Sequence, residues 1–168
     1  GALYKVEVAL LDNQVTLSLD TTGNGLHKRG YRPVSGPAPL RETLAAALVL
    51  LSYWKPERPL WDPFCGTGTI PIEAALIGRK IAPGLKRSFL AENWSVLGSE
   101  SWRAAREEAK DLIQSEFPER ILGTDTNWRD LKLARRHAEL AGVTDDIHFQ
   151  QRNFSELSSQ RKYGCVIC

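Results

Sequence analysis

The chain has 168 residues, 42% hydrophobic and 25% charged, which suits one globular domain or a domain with a small appendage. Its formal net charge of +2 is too small to mark a nucleic-acid binder by itself. No apolar run approaches the roughly 20 residues of a membrane span, and three irregularly spaced cysteines argue against a disulfide framework. Nothing at the N-terminus reads as a signal peptide, so a cytoplasmic setting is expected. The chain begins Gly-Ala and contains no methionine, which predicts a fragment or a processed product.

Residues 4–11 and 14–20 alternate polar and apolar side chains around Asp12-Asn13. Period two with a two-residue polar turn predicts a β-hairpin with one face packed on something. His27-Lys28-Arg29-Gly30-Tyr31-Arg32 follows, a basic segment that can hold phosphates, with Tyr31 available to stack on a base. The alternative is a solvated loop whose arginines pair locally. The breaker cluster Ser35-Gly36-Pro37-Ala38-Pro39 divides the chain into a connector over 1–35 and a main domain over 36–168.

A helix is expected over 40–52, with Pro39 suiting its first turn. Its Leu and Ala side chains are apolar all round, which predicts burial. Leu60-Trp61-Asp62 reads as a strand ending in an acid, followed by Pro63-Phe64-Cys65-Gly66-Thr67-Gly68 and a helix over 71–77 closed by Gly78. The two glycines let the backbone approach a ligand closely. Pro71 replaces the third glycine of a dinucleotide fingerprint, and no Gly-Lys-Ser/Thr of a P-loop follows. Glu73 suits the N-terminal dipole of this helix.

Residues 81–98 have no clean period and include Lys86 and Arg87, so they read as a functional loop or lid. A helix is expected over 102–116, stopped by Pro118, with Ala105, Ala109 and Leu112 on one side. A strand over 121–125, a helix over 128–141 capped by Asn127 and Asp130, and strands over 147–151 and 163–168 complete the chain. Alternating strands and helices give a parallel sheet with right-handed crossovers, an α/β Rossmann-like half-domain. Asp62 and Asp125 then end neighbouring strands and line one crevice, where ligands of such sheets bind. Asp125 with Thr126 suits a ribose diol, Asp62 a cationic ammonium. Asn153 and Phe154, after the third strand, could read an adenine edge and cover its face. Cys165 and Cys168 lie three apart on a strand and face opposite sides, so no metal site or disulfide is expected there.

Asp62-Pro63-x-x-Gly66-x-Gly68 resembles the first motif of S-adenosylmethionine (AdoMet) methyltransferases. Taken with Leu26 to Arg32, Ala38-Pro39-Leu40-Arg41-Glu42-Thr43, Thr69-Ile70-Pro71-Ile72-Glu73-Ala74-Ala75 and Lys80-Ile81-Ala82-Pro83-Gly84, it makes nearly the whole chain similar to the THUMP-associated RNA methylase family. The resemblance implies the class I methyltransferase fold, partial here, with its first four parallel strands preceded by the hairpin. It implies AdoMet as cofactor, held by Asp62, Pro63, Phe64, Cys65, Gly66, Thr67, Gly68, Asp125, Thr126, Asn153 and Phe154. It also implies methylation of a guanine N2 amine in RNA, 23S rRNA before tRNA, contacted by His27, Lys28, Arg29, Tyr31, Arg32, Lys86 and Arg87. A THUMP domain is expected in the parent chain, with the hairpin as connector.

Two departures stand out. Asn153 replaces the family's usual aspartate. The family's catalytic Asn-Pro-Pro-Tyr follows the fourth strand, and the sequence shown ends at Cys168 before it, so no catalytic residue is expected within it. That motif holds the target amine and stacks a flipped base. The rival readings are a DNA adenine-N6 methyltransferase of the same fold and a non-catalytic AdoMet- or RNA-binding scaffold.

Overall fold

A computed structural model describes residues 2–33, 40–115, 118–158 and 160–168. The breaker cluster at Ser35 to Pro39 and the expected helical position Glu116 lie outside the described residues.

The hairpin forms as its alternation predicts. Strands β1 (Lys5–Leu11) and β2 (Gln14–Asp20) pair antiparallel through the turn at Asp12 and Asn13, whose φ values of 49° and 59° fit a type I′ connection. Val6, Val8 and Leu10 oppose Leu19, Leu17 and Val15 on one face, while Lys5 meets Asp20 on the other. No face is packed, however. Val8, Leu10 and Leu17 are each about 70% exposed, so the expected cover is absent among the described residues. The hairpin is anchored at its base, where Tyr4 stacks on the buried Trp94, whose indole donates to the Leu3 carbonyl at 2.9 Å.

Helix α1 (Glu42–Leu51) buries only Glu42, Ala45 and Val49. Leu44, Leu50 and Leu51 are exposed, which corrects the expectation of an all-round buried helix. Strand β3 (Leu60–Asp62) leads into α2 (Thr69–Gly78), whose side chains are nearly all buried. Gly78 is its last residue, as expected, but the left-handed turn that closes it falls two residues later. The chain turns at Lys80, with φ 53°, while Ile81 N–H reaches the Leu76 carbonyl at 2.8 Å.

The loop after α2 is a brace rather than a lid. It carries a short 3-10 turn at Leu90–Asn93 and buries Ala91 and Trp94. Arg106, from α3 (Ser99–Asp111), donates to the carbonyls of Leu85 (3.0 Å) and Arg87 (2.7 Å) and to Glu92 (2.5 Å). Helix α3 buries none of its described side chains and stops at Asp111, earlier than the expected residue 116.

Strand β4 (Ile121–Asp125), helix α4 (Trp128–Ala141) and strand β5 (Ile147–Gln151) match their expected bounds. Asn127 caps α4 by accepting from Arg129 N–H at 3.0 Å and donates to Asp130 at 2.7 Å. Strand β6 is only Cys165–Val166, shorter than expected. The sheet order is β5-β4-β3-β6, all parallel, so β3 and β4 are neighbours. Leu60, Ile72, Ile121, Leu131, Val143 and Phe149 form its core, between α2, α4 and the sheet.

Candidate cofactor site

The site is built where β3 stops and the chain must turn into α2. Cys65 N–H donates to the Thr124 carbonyl (2.9 Å), and Gly68 N–H to the Cys65 carbonyl (2.8 Å), closing the turn against β4. The two glycines serve different ends. At Gly68, φ is +83° and an added Cβ would lie 3.0 Å from both Ala134 Cβ and the Phe149 ring. It lets α4 and β5 approach the loop. At Gly66, φ is +50° and, its chain neighbours aside, no atom of the described residues lies within 4 Å of an added Cβ, so the turn presents bare backbone to open space there. A cradle for a ligand has this form.

Three further residues brace the turn. Gly123 in β4 has the Phe149 ring 2.9 Å and Cys65 Sγ 3.2 Å from its absent Cβ; a glycine inside a strand is the signal for such an approach. His137, 1% exposed on α4, places Nδ1 3.1 Å from the Thr67 carbonyl, the donor to that acceptor, and so holds the loop from behind. Trp61 donates to Thr124 Oγ1 at 3.0 Å, tying β3 to β4 by side chains.

The two acids differ. Asp62 is 2% exposed, and its Oδ1 accepts from Phe64 N–H at 3.1 Å. Burial pushes its carboxyl up to about 7, with the Asp125 charge adding to the effect. Asp125 is half-buried and ties two loops, accepting from Gly66 N–H at 2.8 Å and from Asn127 N–H at 2.9 Å. Each of its oxygens keeps a lone pair for a further donor, as a diol requires. Two acids in one crevice favour a ligand that brings positive charge. Thr126 sits exposed at the lip, and its carbonyl holds the Gln151 side chain at 2.9 Å.

Phe64 and Phe154, 62% and 51% exposed, stack 5.5 Å apart between centroids. Phe154 also stacks on Trp61 at 5.8 Å. The ends of the first and third strands of the expected crevice thus meet through one aromatic ladder. Asn153 Oδ1 accepts from both N–H and Oγ of Ser155 at 3.1 and 3.0 Å. Its oxygen is committed to this cap, leaving the amide nitrogen to offer a base edge. Pro63 is buried, and Cys65, 7% exposed, has its thiol pushed up by burial, which suits a wall residue rather than a nucleophile.

The basic segment is only partly a surface. Tyr31 is 2% exposed and donates its hydroxyl to Glu73 Oε1 at 2.8 Å. It is a core side chain and cannot stack on a base, a correction to its reading as an RNA contact. Arg29 pairs with Glu73 Oε2 at 2.8 Å, and Arg32 bonds the Leu40 carbonyl (2.9 Å), Thr69 Oγ1 (2.8 Å) and Glu42 (3.3 Å). Glu73, fully buried, is raised by burial to about 7 despite Arg29. It is the hub of a buried charge cluster rather than a dipole stabiliser. Lys86 donates to the Leu140 carbonyl at 2.6 Å, and Arg87 to the carbonyls of Gly25 (3.0 Å), Thr22 (3.3 Å) and Asn24. The side chains of His27 and Lys28 make no such bonds among the described residues.

Among the described residues, no group of His, Cys, Asp and Glu could hold a metal ion, and no helix is long and apolar enough to cross a membrane.

The family described as the RMKL-like methyltransferase domain matches residues 29–168. The chain is 47% identical over 167 residues to YpsC of Bacillus subtilis, provisionally named an RNA methyltransferase, covering 99% of this chain and 43% of that protein. It is 43% identical over 176 residues to the ribosomal RNA large subunit methyltransferase K/L of Photobacterium profundum, covering 98% of this chain and 24% of the relative. The chain thus spans less than half the length of these relatives. A crystal structure from Listeria monocytogenes, described as a predicted N6-adenine-specific DNA methylase, superposes with a TM-score of 0.93 at 50% identity, over 99% of this chain and 44% of that one. That of SMU.472, provisionally a methyltransferase and complexed with SAH, gives 0.90 at 37% identity, over 97% and 42%. The fold is that of the class I methyltransferases, with the hairpin in front.

Proposed function

We propose that this chain, which belongs to the RMKL-like methyltransferase domain family, is the AdoMet-binding part of an RNA methyltransferase acting on a guanine N2 amine of 23S rRNA. The observation that carries the reading is the crevice at the ends of β3 and β4. There the open backbone at Gly66, the buried Asp62 and the exposed Phe64–Phe154 pair converge.

These residues fit the group. AdoMet carries a sulfonium and an ammonium, which two acids attract. Its ribose offers two hydroxyl donors, for which Asp125 has capacity, and its adenine offers a face to Phe154. Bound AdoMet supplies an activated methyl group, so positioning rather than acid–base chemistry is what the protein must add. Cys65, Thr67 and Gly68 shape the turn, Thr126 forms its lip, and the amide of Asn153 suits a ring-nitrogen acceptor.

The choice of RNA, and of the large ribosomal subunit, draws on the names of the Bacillus and Photobacterium relatives. Methylation of tRNA is the next alternative. Residues 1–35 act as a connector toward an RNA-binding THUMP domain, residues 36–168 as the cofactor half, in a cytoplasmic enzyme. A second reading, DNA adenine-N6 methylation, is favoured by the description of the Listeria structure. Incubating the full-length protein with tritiated AdoMet and either 23S rRNA, tRNA or duplex DNA separates the two. Label is expected in rRNA, at guanine N2 after digestion; label in DNA alone overturns the proposal.

A further inference from the structure

Between the 27–33 segment and the start of α1 lies a cavity of about 610 Å³ that the cofactor crevice does not use. Among the described residues, Lys28, Arg29, Arg32 and Arg41 line it against one acid, Glu42. Arg29 and Arg32 are held from behind by Glu73 and Glu42, whereas the side chains of Lys28 and Arg41 have no hydrogen-bond or ion-pair partner among the described residues. Behind the wall each side leaves one buried atom unpaired: Arg29, with its side chain 10% exposed, has an Nε without an acceptor, and Glu42 has an Oε2 without a donor. Cations left unpaired around a concave surface attract an anion of matching charge density, and phosphate is the anion RNA offers at every residue.

The cavity is tied to the cofactor loop. Arg32 donates to Thr69 Oγ1 at 2.8 Å, and Thr69 opens α2 directly after Gly68. A backbone phosphate seated at Lys28 and Arg41 would therefore be fixed relative to the methyl donor through the same helix.

We propose that this cavity is a backbone-phosphate subsite for the RNA substrate, with Lys28 and Arg41 as its free cations. It rests on the reading of the chain as part of an RNA methyltransferase. The competing source of the same anionic chemistry is the carboxylate on the methionine part of AdoMet, and the test separates the two.

Lys28→Gln and Arg41→Gln are made in the full-length protein, with Arg41→Lys as the charge-retaining control. A fluorescein-labelled 23S rRNA stem-loop is titrated by anisotropy at several salt concentrations, AdoMet is titrated by calorimetry, and melting temperature checks folding. Each neutral variant is expected to bind the RNA about five- to tenfold more weakly. The slope of log K against log salt should fall by about 1, AdoMet affinity should stay within twofold, and Arg41→Lys should recover most of the loss. Loss of AdoMet affinity beyond threefold in a folded variant assigns the anion to the cofactor and overturns the subsite. RNA binding equal to wild type in both neutral variants also overturns it, leaving the enzymatic reading intact. Wild-type protein that binds AdoMet but no RNA sinks that reading together with the subsite.

Discussion

The hairpin and the parallel sheet are built from the same ladder chemistry and end in opposite environments. β1 and β2 pair residue for residue over seven positions, yet nearly all their side chains are exposed. β3 is three residues long, but it lies between β4 and β6, with Leu60 and Asp62 each 2% exposed. A hydrogen-bonded ladder forms from local alternation and a suitable turn. Burial requires a second layer, which α2 and α4 supply to the sheet and no described element supplies to the hairpin. The most regular stretch of sequence is thus the least buried.

That contrast predicts where substitutions hurt. The largest effect is expected at Glu73. Glu73→Ala leaves Arg29 buried without its carboxylate and Tyr31 without its acceptor, and should cost about 3–5 kcal/mol in urea denaturation. A loss below about 1 kcal/mol would mean that the charge cluster is relaxed or solvated.

Next comes Gly68→Ala. It combines an unfavourable φ with 3.0 Å contacts to Ala134 and Phe149, for a loss on the order of 2–3 kcal/mol. Gly66→Ala carries only the φ penalty, roughly 1 kcal/mol by the same measurement, because its Cβ meets open space. Equal losses at both would show that the two glycines do the same job.

Asp62 should separate binding from stability. Its carboxyl titrates near 7, raised from 3.8 by burial. The folded chain holds this proton more tightly than the unfolded one, so the contribution is stabilising at acid pH and is lost as pH rises toward and through 7. Asp62→Asn should therefore match or exceed wild-type stability at pH 8 while weakening AdoMet binding about tenfold. In wild type, a cationic ligand favours the ionised carboxylate, so AdoMet affinity should rise between pH 6 and 8 with proton release. Calorimetry in buffers of different ionisation enthalpy reads that release. A flat pH profile in wild type would remove Asp62 from the cationic part of the site.

The smallest effect is expected in the hairpin, where Leu17→Thr should cost less than about 0.5 kcal/mol. A loss above 2 kcal/mol in thermal melts would show that its aliphatic face is covered in solution and would break the comparison.

Much of this molecule follows from the sequence alone, because the signals are local. Period two around Asp12-Asn13, the Asn127 cap and the acids ending two apolar strands depend on neighbours a few residues apart. Strand β4, helix α4 and strand β5 therefore appear at their expected bounds, and Asp62 and Asp125 line one crevice as sheet topology demands. What a charged or aromatic side chain faces is a long-range matter. Only the tertiary structure turned Tyr31, Arg29 and Arg32 inward onto Glu73 and Glu42, and set Lys86 and Arg87 against backbone carbonyls. Likewise it joined Phe154 to Phe64 and Trp61, placed His137 behind Thr67, and left Lys28 and Arg41 facing a common cavity. Backbone geometry is encoded in turns and periods. Whether a cation meets a buried carboxylate or open solvent depends on which helix the fold lays beside it.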